Sequence, residues 1–218
     1  MIVVIGAPAW RPGASDGSPA GTAACAAVAA ARAGSRVELI GKAGEDDAGD
    51  ALMLALARAG VGHVALLRDA VNATPTVTGP DDRDEALLGD EAAADAPPTS
   101  TVAAPILEAA DVELALRYLP EYGVIVVAEP QPAATLKVVA DAASWVGAAL
   151  VVVVSASAGA GSVELPPTSI VLEAPPGDPE GAFASMLGEL AAAIDRGTPV
   201  EAAFDELEAK LGLTRASG

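Results

Sequence analysis

Few side chains in this sequence can carry chemistry, and their number narrows which chemistry that is. His63 is the sole histidine and Cys25 the sole cysteine, so neither a multi-histidine metal site nor an internal disulfide can be assembled. His63 opens a short apolar run and reads as a surface or edge residue of a strand over 63–67. Cys25 reads as a small core residue, as buried free cysteines usually are. Asp81, Asp82, Asp84, Glu85, Asp90, Glu91 and Asp95 crowd one segment, opposed by Arg83. The run fails the spacing of a calcium loop, because its glycine and closing glutamate are out of place. It reads as a solvated acidic insert over about 79–98. Two places remain. One is Gly41-Lys42-Ala43-Gly44-Glu45-Asp46, a glycine-rich turn with a cation and carboxylates. The other is Glu129, directly after the apolar run Val124–Val127, where the C-terminal end of a parallel strand would meet a ligand crevice.

These groups depend on elements readable from the pattern. From Thr22 to Ala33 nearly every residue is small and apolar. Alanine favours helix, and so bare a helix sits close to a sheet. Gly34 supplies the left-handed stop. Val37–Ile40 is expected to be a strand and Gly41–Gly44 a tight turn. Glu45, Asp46 and Asp47 then lie at the positive start of a helix that shows Leu52, Leu56 and Ala59 on one face and ends at Gly60. Ile2–Ile5 reads as a buried parallel strand. Residues 12–19 read as a Gly/Pro/Ser loop; Trp10 could stack on a ring, but a lone Trp beside a proline reads as packing. Asp111–Leu119 is expected to be a helix capped by Asp111. Pro132 starts another helix, to about Val146, and Ala149–Val154 and Ser169–Leu172 read as strands. Alternating strands and helices predict an α/β fold, a three-layer α/β/α sandwich on a mostly parallel sheet.

Ile40-Gly41-Lys42-Ala43-Gly44-Glu45-Asp46-Asp47-Ala48-Gly49-Asp50-Ala51-Leu52 resembles the I-G-K-x-G-x-D-x-x-G-D-x-L pattern of the PfkB (ribokinase-like) carbohydrate kinase family. The likeness extends through Ala59-Gly60-Val61, His63-Val64 and Thr74-Pro75-Thr76, to about Val77. It implies substrate binding at Gly21, Gly41, Lys42, Gly44, Asp46 and Glu129, with a small sugar- or nucleoside-like ligand. It also implies a ribokinase-like fold whose lid is reduced or absent. The plain alternative is that Gly41, Gly44 and Gly49 serve only the turn and close helix packing, and that Lys42 balances nearby acids.

The same resemblance exposes losses. Family members carry an Asp that binds sugar hydroxyls after the first strand, where Ala7 to Arg11 stand here; their sugar-binding Asn corresponds to Cys25. Asn72 is the only asparagine and Pro75 follows it three residues on, so the family's N-x-x-E motif for metal-bound water cannot form. The family's D-T-x-G-A-G-D-A-F loop holds phosphates on the amides of a helix start, and its Asp is the general base. Here the segment is Glu173-Ala174-Pro175-Pro176-Gly177-Asp178-Pro179-Glu180-Gly181-Ala182-Phe183. Aligned on Ala182-Phe183, the base position holds Gly181, which cannot accept a proton. Aligned on Gly177-Asp178, Asp178 becomes the fallback catalytic base but Pro179 follows it. Gly177 and Gly181 are the phosphate-binding candidates. A third alignment treats Pro175–Gly188 as an earlier P-N-E-x-E-A segment.

The totals restrict partners. The 218 residues suffice for one domain, expected over 1–218. The formal charge of −18 argues against nucleic acid and anionic membrane surfaces as partners. With no basic leader before Ile2 and no apolar run of spanning length, a cytoplasmic protein is expected. Three readings of function follow. The first is a degenerate family member without phosphotransfer, binding a small ligand or a protein, with no cofactor and no metal. The second is an active ATP-dependent carbohydrate or nucleoside kinase using ATP and Mg²⁺. The third is a structural subunit forming a homodimer through the face a lid would cover.

Overall fold

The computed structural model describes residues 1–13, 17–77, 103–119, 121–155, 163–175, 178 and 181–211, with main chain alone over 207–211. The acidic insert and Gly177 lie outside them. Strands β1 (Ile2–Ile5), β4 (Val37–Gly44), β5 (Val61–Gly62), β7 (Val124–Val127), β8 (Ala149–Val154) and β9 (Ile170–Glu173) order as β5-β4-β1-β7-β8-β9. Strand β6 (Leu66–Asp69) pairs with the far half of β4, and every pairing in this seven-stranded sheet is parallel. A second, two-stranded antiparallel sheet joins β2 (Ala9–Arg11) to β3 (Ser18–Ala20).

Each face of the sheet is closed by its own core. Val3, Ile5, Ile125, Val127, Leu150 and Val152 point to one side, under α3 (Ala109–Tyr118) and α4 (Ala133–Val146). Ile2, Val4, Leu39, Val126 and Val151 point to the other, under α1 (Thr22–Arg32), α2 (Asp47–Arg58) and α5 (Ala182–Asp195), with α6 (Val200–Leu211) packed on α5. Continuous apolar strands covered on both faces are what parallel pairing requires.

With aromatics at only 3% of the residues, that core works through close approach of backbones. Helix α1 buries Ala23, Ala24, Ala26, Ala27 and Ala30 and lies against α5 at Gly188. A Cβ there would collide with the Ala26 carbonyl oxygen and come within 2.8 Å of the Ala30 nitrogen. No described helix is long and apolar enough to cross a membrane.

Several boundaries differ from expectation. Strand β4 does not turn at Gly41 but continues to Gly44, with Gly41 paired to Leu66 and Gly44 to Asp69. Strand glycines often mark close backbone approach, and a Cβ on Gly41 would stand 2.7 Å from the Gly6 carbonyl oxygen. His63 falls between β5 and β6, outside a strand. Helix α3 is capped by Glu108, with Asp111 at the third helical position completing a reciprocal capping box. The loop expected over 12–19 ends instead in β3, with Ser18 and Pro19 paired to Arg11 and Trp10 in the β2–β3 hairpin. That hairpin is tied to Thr76 through Trp10, whose amide donates to the Pro75 carbonyl at 2.8 Å. The hairpin packs against α1 and α2.

Candidate functional site

The C-terminal ends of β1, β4 and β7 converge with the starts of α1 and α5, as parallel α/β topology dictates. The loop after β7 carries Glu129, whose Oε1 accepts the Ala7 amide at 2.6 Å and the Gln131 side-chain amide at 3.2 Å. Burial pushes the Glu129 carboxyl above its ordinary range, and those two donors oppose the shift. Gly6 makes room for it: a Cβ there would touch Ala23 at 2.9 Å and the Glu129 carboxyl carbon at 3.3 Å. Thr22, Glu129, Asp178 and Phe183 share a cleft of about 200 Å³. Glu129 and Asp178, far apart in sequence, are thus brought together.

Asp178 is spent in a particular way. Its two carboxylate oxygens accept the main-chain amides of Phe183 at 3.1 Å and Ala184 at 2.9 Å, in the first turn of α5. A helix start binds anions through such amides and the helix dipole, and here the anion is a side chain of the chain itself. Gly181 immediately precedes α5 with φ of 70°, a left-handed value glycine adopts at little cost.

The β4–α2 turn forms a separate network. Asp46 is the N-cap of α2. Its carboxylate accepts the Gly49 amide, the Thr74 amide and the Thr74 hydroxyl, each at 2.7 Å, while the Thr74 hydroxyl oxygen accepts the Gly44 amide at 2.9 Å. Burial would raise the Asp46 pKa, but the Thr74 and Gly49 donors outweigh it and hold the carboxyl below its ordinary range. Gly44 fits because a Cβ would lie 2.7 Å from both the Asn72 carbonyl oxygen and the Thr74 amide nitrogen. Lys42 leaves this network for the α3 side, bonding Asp111 at 2.9 Å and the Ile106 carbonyl at 3.3 Å. Gly21, with φ of 79°, caps α1 against the Ala7 carbonyl.

The sequence assigned no site role to Thr74, Thr22 or Gly6. Thr74 is only 4% exposed and polar; its place before Pro75 was the available signal. Cys25 lies beside this crevice, its Sγ 3.7 Å from the Pro19 carbonyl oxygen. Burial chiefly pushes its thiol pKa up, and Asp178 adds to the rise. Trp10 packs on the core and over Gly17.

The model of the pfkB family carbohydrate kinases matches residues 9–160. The chain belongs to the PfkB family. Among solved structures, an E. coli protein described as a Ribokinase II is similar over 95% of this chain and 90% of its own, at 14% identity and TM-score 0.63. The PfkB protein from Polaromonas sp. JS666 is similar over 98% and 96%, at 16% identity and TM-score 0.56. Against aminoimidazole riboside kinase from Salmonella enterica the similarity covers 70% of this chain and 49% of that one, at 20% identity and TM-score 0.47. At the identities of the first two, the likeness concerns the fold, a mostly parallel sheet with flanking helices. No curated protein matches the chain.

Proposed function

We propose that this PfkB-family chain keeps the carbohydrate-kinase fold without phosphoryl transfer, and acts as a pseudoenzyme that binds a small sugar- or nucleoside-like ligand or a protein. The observation that carries the reading is Asp178, whose carboxylate sits on the Phe183 and Ala184 amides. Those amides are the groups a transferred phosphate would need, and a carboxylate bound to them repels that phosphate. The described cleft of about 200 Å³ is smaller than the roughly 300–1,000 Å³ of ordinary ligand pockets, so it suits a sugar better than a nucleotide. Glu129 and Thr22 are the polar groups to orient a hydroxylated ring.

Thermal denaturation with ribose, fructose, adenosine and Mg·ATP tests this. A sugar or nucleoside is expected to raise Tm in wild type and not in Glu129→Ala. Saturating ligand at about 100 times Kd stabilises by about 2.7 kcal/mol. Stabilisation of the wild type by Mg·ATP alone would refute the reading.

An active kinase is the second reading. Asp178 does line the same cleft as Glu129, and the E. coli protein described as a Ribokinase II was solved with ATP and Mg²⁺. In that case Asp178 must leave the α5 amides to serve as base, with ATP phosphate taking its place.

A further inference from the structure

The far edge of the sheet has no partner strand among the described residues: β9 pairs with β8 alone. The Ala174 amide donates to the Val154 carbonyl at 2.8 Å. Main-chain groups alternate sides along a strand, so Leu172 and Ile170 also face β8. The amides and carbonyls of Val171 and Glu173 therefore face outward. Edges of this kind are normally blunted by charge, proline, a bulge or shortness; the four residues Ile170-Val171-Leu172-Glu173 carry no proline and one charge, Glu173. Beside it runs a groove of about 580 Å³ lined by Pro167, Val171, Pro199, Val200 and Phe204, with Glu201 the one charged lining residue. Val171 is 47% exposed. The Ser169 hydroxyl, on the groove wall, is shielded from water without a hydrogen-bond partner.

We propose that β9 is a docking edge for an extended, basic peptide segment of a partner protein, added as a further strand. Strand addition draws its affinity from main-chain hydrogen bonds and its selectivity from alternate side chains. Val171 and Glu173 supply the main-chain donors and acceptors. The groove takes the peptide's apolar residues, and the Ser169 hydroxyl gains a partner. Charge selects the sign of the rest: Glu173 and Glu201 flank the edge, and the chain carries a formal −18. The same charge disfavours a second copy of this chain as occupant, since both edges would present Glu173 and Glu201.

The test uses the full chain and a fluorescein-labelled peptide alternating valine and lysine, with fluorescence anisotropy and amide hydrogen exchange. Binding is expected, with new protection at the Val171 and Glu173 amides. Val171→Pro removes an outward donor without touching the ladder to β8, and is expected to weaken binding about tenfold, the equivalent of 1.4 kcal/mol. Glu201→Lys, in the first turn of α6, is expected to weaken it further with only a small fall in Tm from the lost helix-dipole contact, so a folding defect in the proline variant leaves the test intact. The same peptide N-methylated on alternate residues is expected not to bind. Unchanged affinity in both variants, or binding without protection at β9, overturns the proposal. Concentration-dependent protection of Val171 and Glu173 in the protein alone overturns it in favour of a second copy.

Discussion

Replacing Asp46 by alanine is expected to destabilise the fold rather than to weaken a binding site. Asp46 accepts three hydrogen bonds at 2.7 Å. Loss of the helix cap costs about 1 kcal/mol. Each bond from Thr74 to the charged carboxylate would add about 1.5–3 kcal/mol if fully buried. Asp46 is only half-buried, and the bonds share one carboxylate, so solvent screening and non-additivity reduce the sum. An Asp46→Ala cost of about 3 kcal/mol is expected, a fall in Tm of roughly 6–12 °C for a domain of this size. Urea unfolding followed by circular dichroism measures it, and a cycle with Thr74→Val should return a coupling of about 1–2 kcal/mol. The pH dependence has a defined sign. Because the folded-state pKa is depressed, the contribution is present above the unfolded value of about 3.9 and is lost as pH falls through the folded value. Asp46→Ala should therefore lose less stability than wild type on acidification. A cost under about 0.5 kcal/mol, together with weakened ligand binding, would refute a structural role and return Asp46 to the binding site.

Other outcomes follow from the same geometry. Gly188→Leu should push α1 and α5 apart and cost about 1–3 kcal/mol or more in chemical denaturation, as overpacking does, because the Ala26 carbonyl and Ala29 stand where the side chain must go. Glu129 titrates with the opposite sign to Asp46. Its raised folded pKa means that stability declines as pH rises from the unfolded value of about 4.3 through the folded one, and Glu129→Gln should flatten that decline. Lys42→Met should cost no more than about 1 kcal/mol, a difference that shrinks in high salt, since its pair with Asp111 is partly solvated.

The sheet was legible because buried parallel strands read as unbroken apolar runs; Ala149–Val154 coincides with β8, and Val124–Val127 with β7. Helix α1 was legible from its alanines and Gly34. Glycine misled at β4, where Gly41 and Gly44 serve close backbone approach inside a strand instead of a turn. The α3 cap was displaced because Glu108, an uncommon cap, exchanges hydrogen bonds with Asp111. At the site, the motif Gly41–Asp46 and the strand end at Glu129 were readable, but their partners were not. The bond from Thr74 to Asp46 spans 28 residues, and no local pattern announces it. Nor does spacing reveal that Asp178 reaches forward to the amides of α5.

Whether a side-chain carboxylate holds the amides a phosphate would need is decided by ADP release from Mg·ATP across a panel of sugars and nucleosides. No turnover above the protein-free background is expected, in wild type and in Asp178→Asn alike. Turnover in wild type that Asp178→Asn abolishes would contradict it.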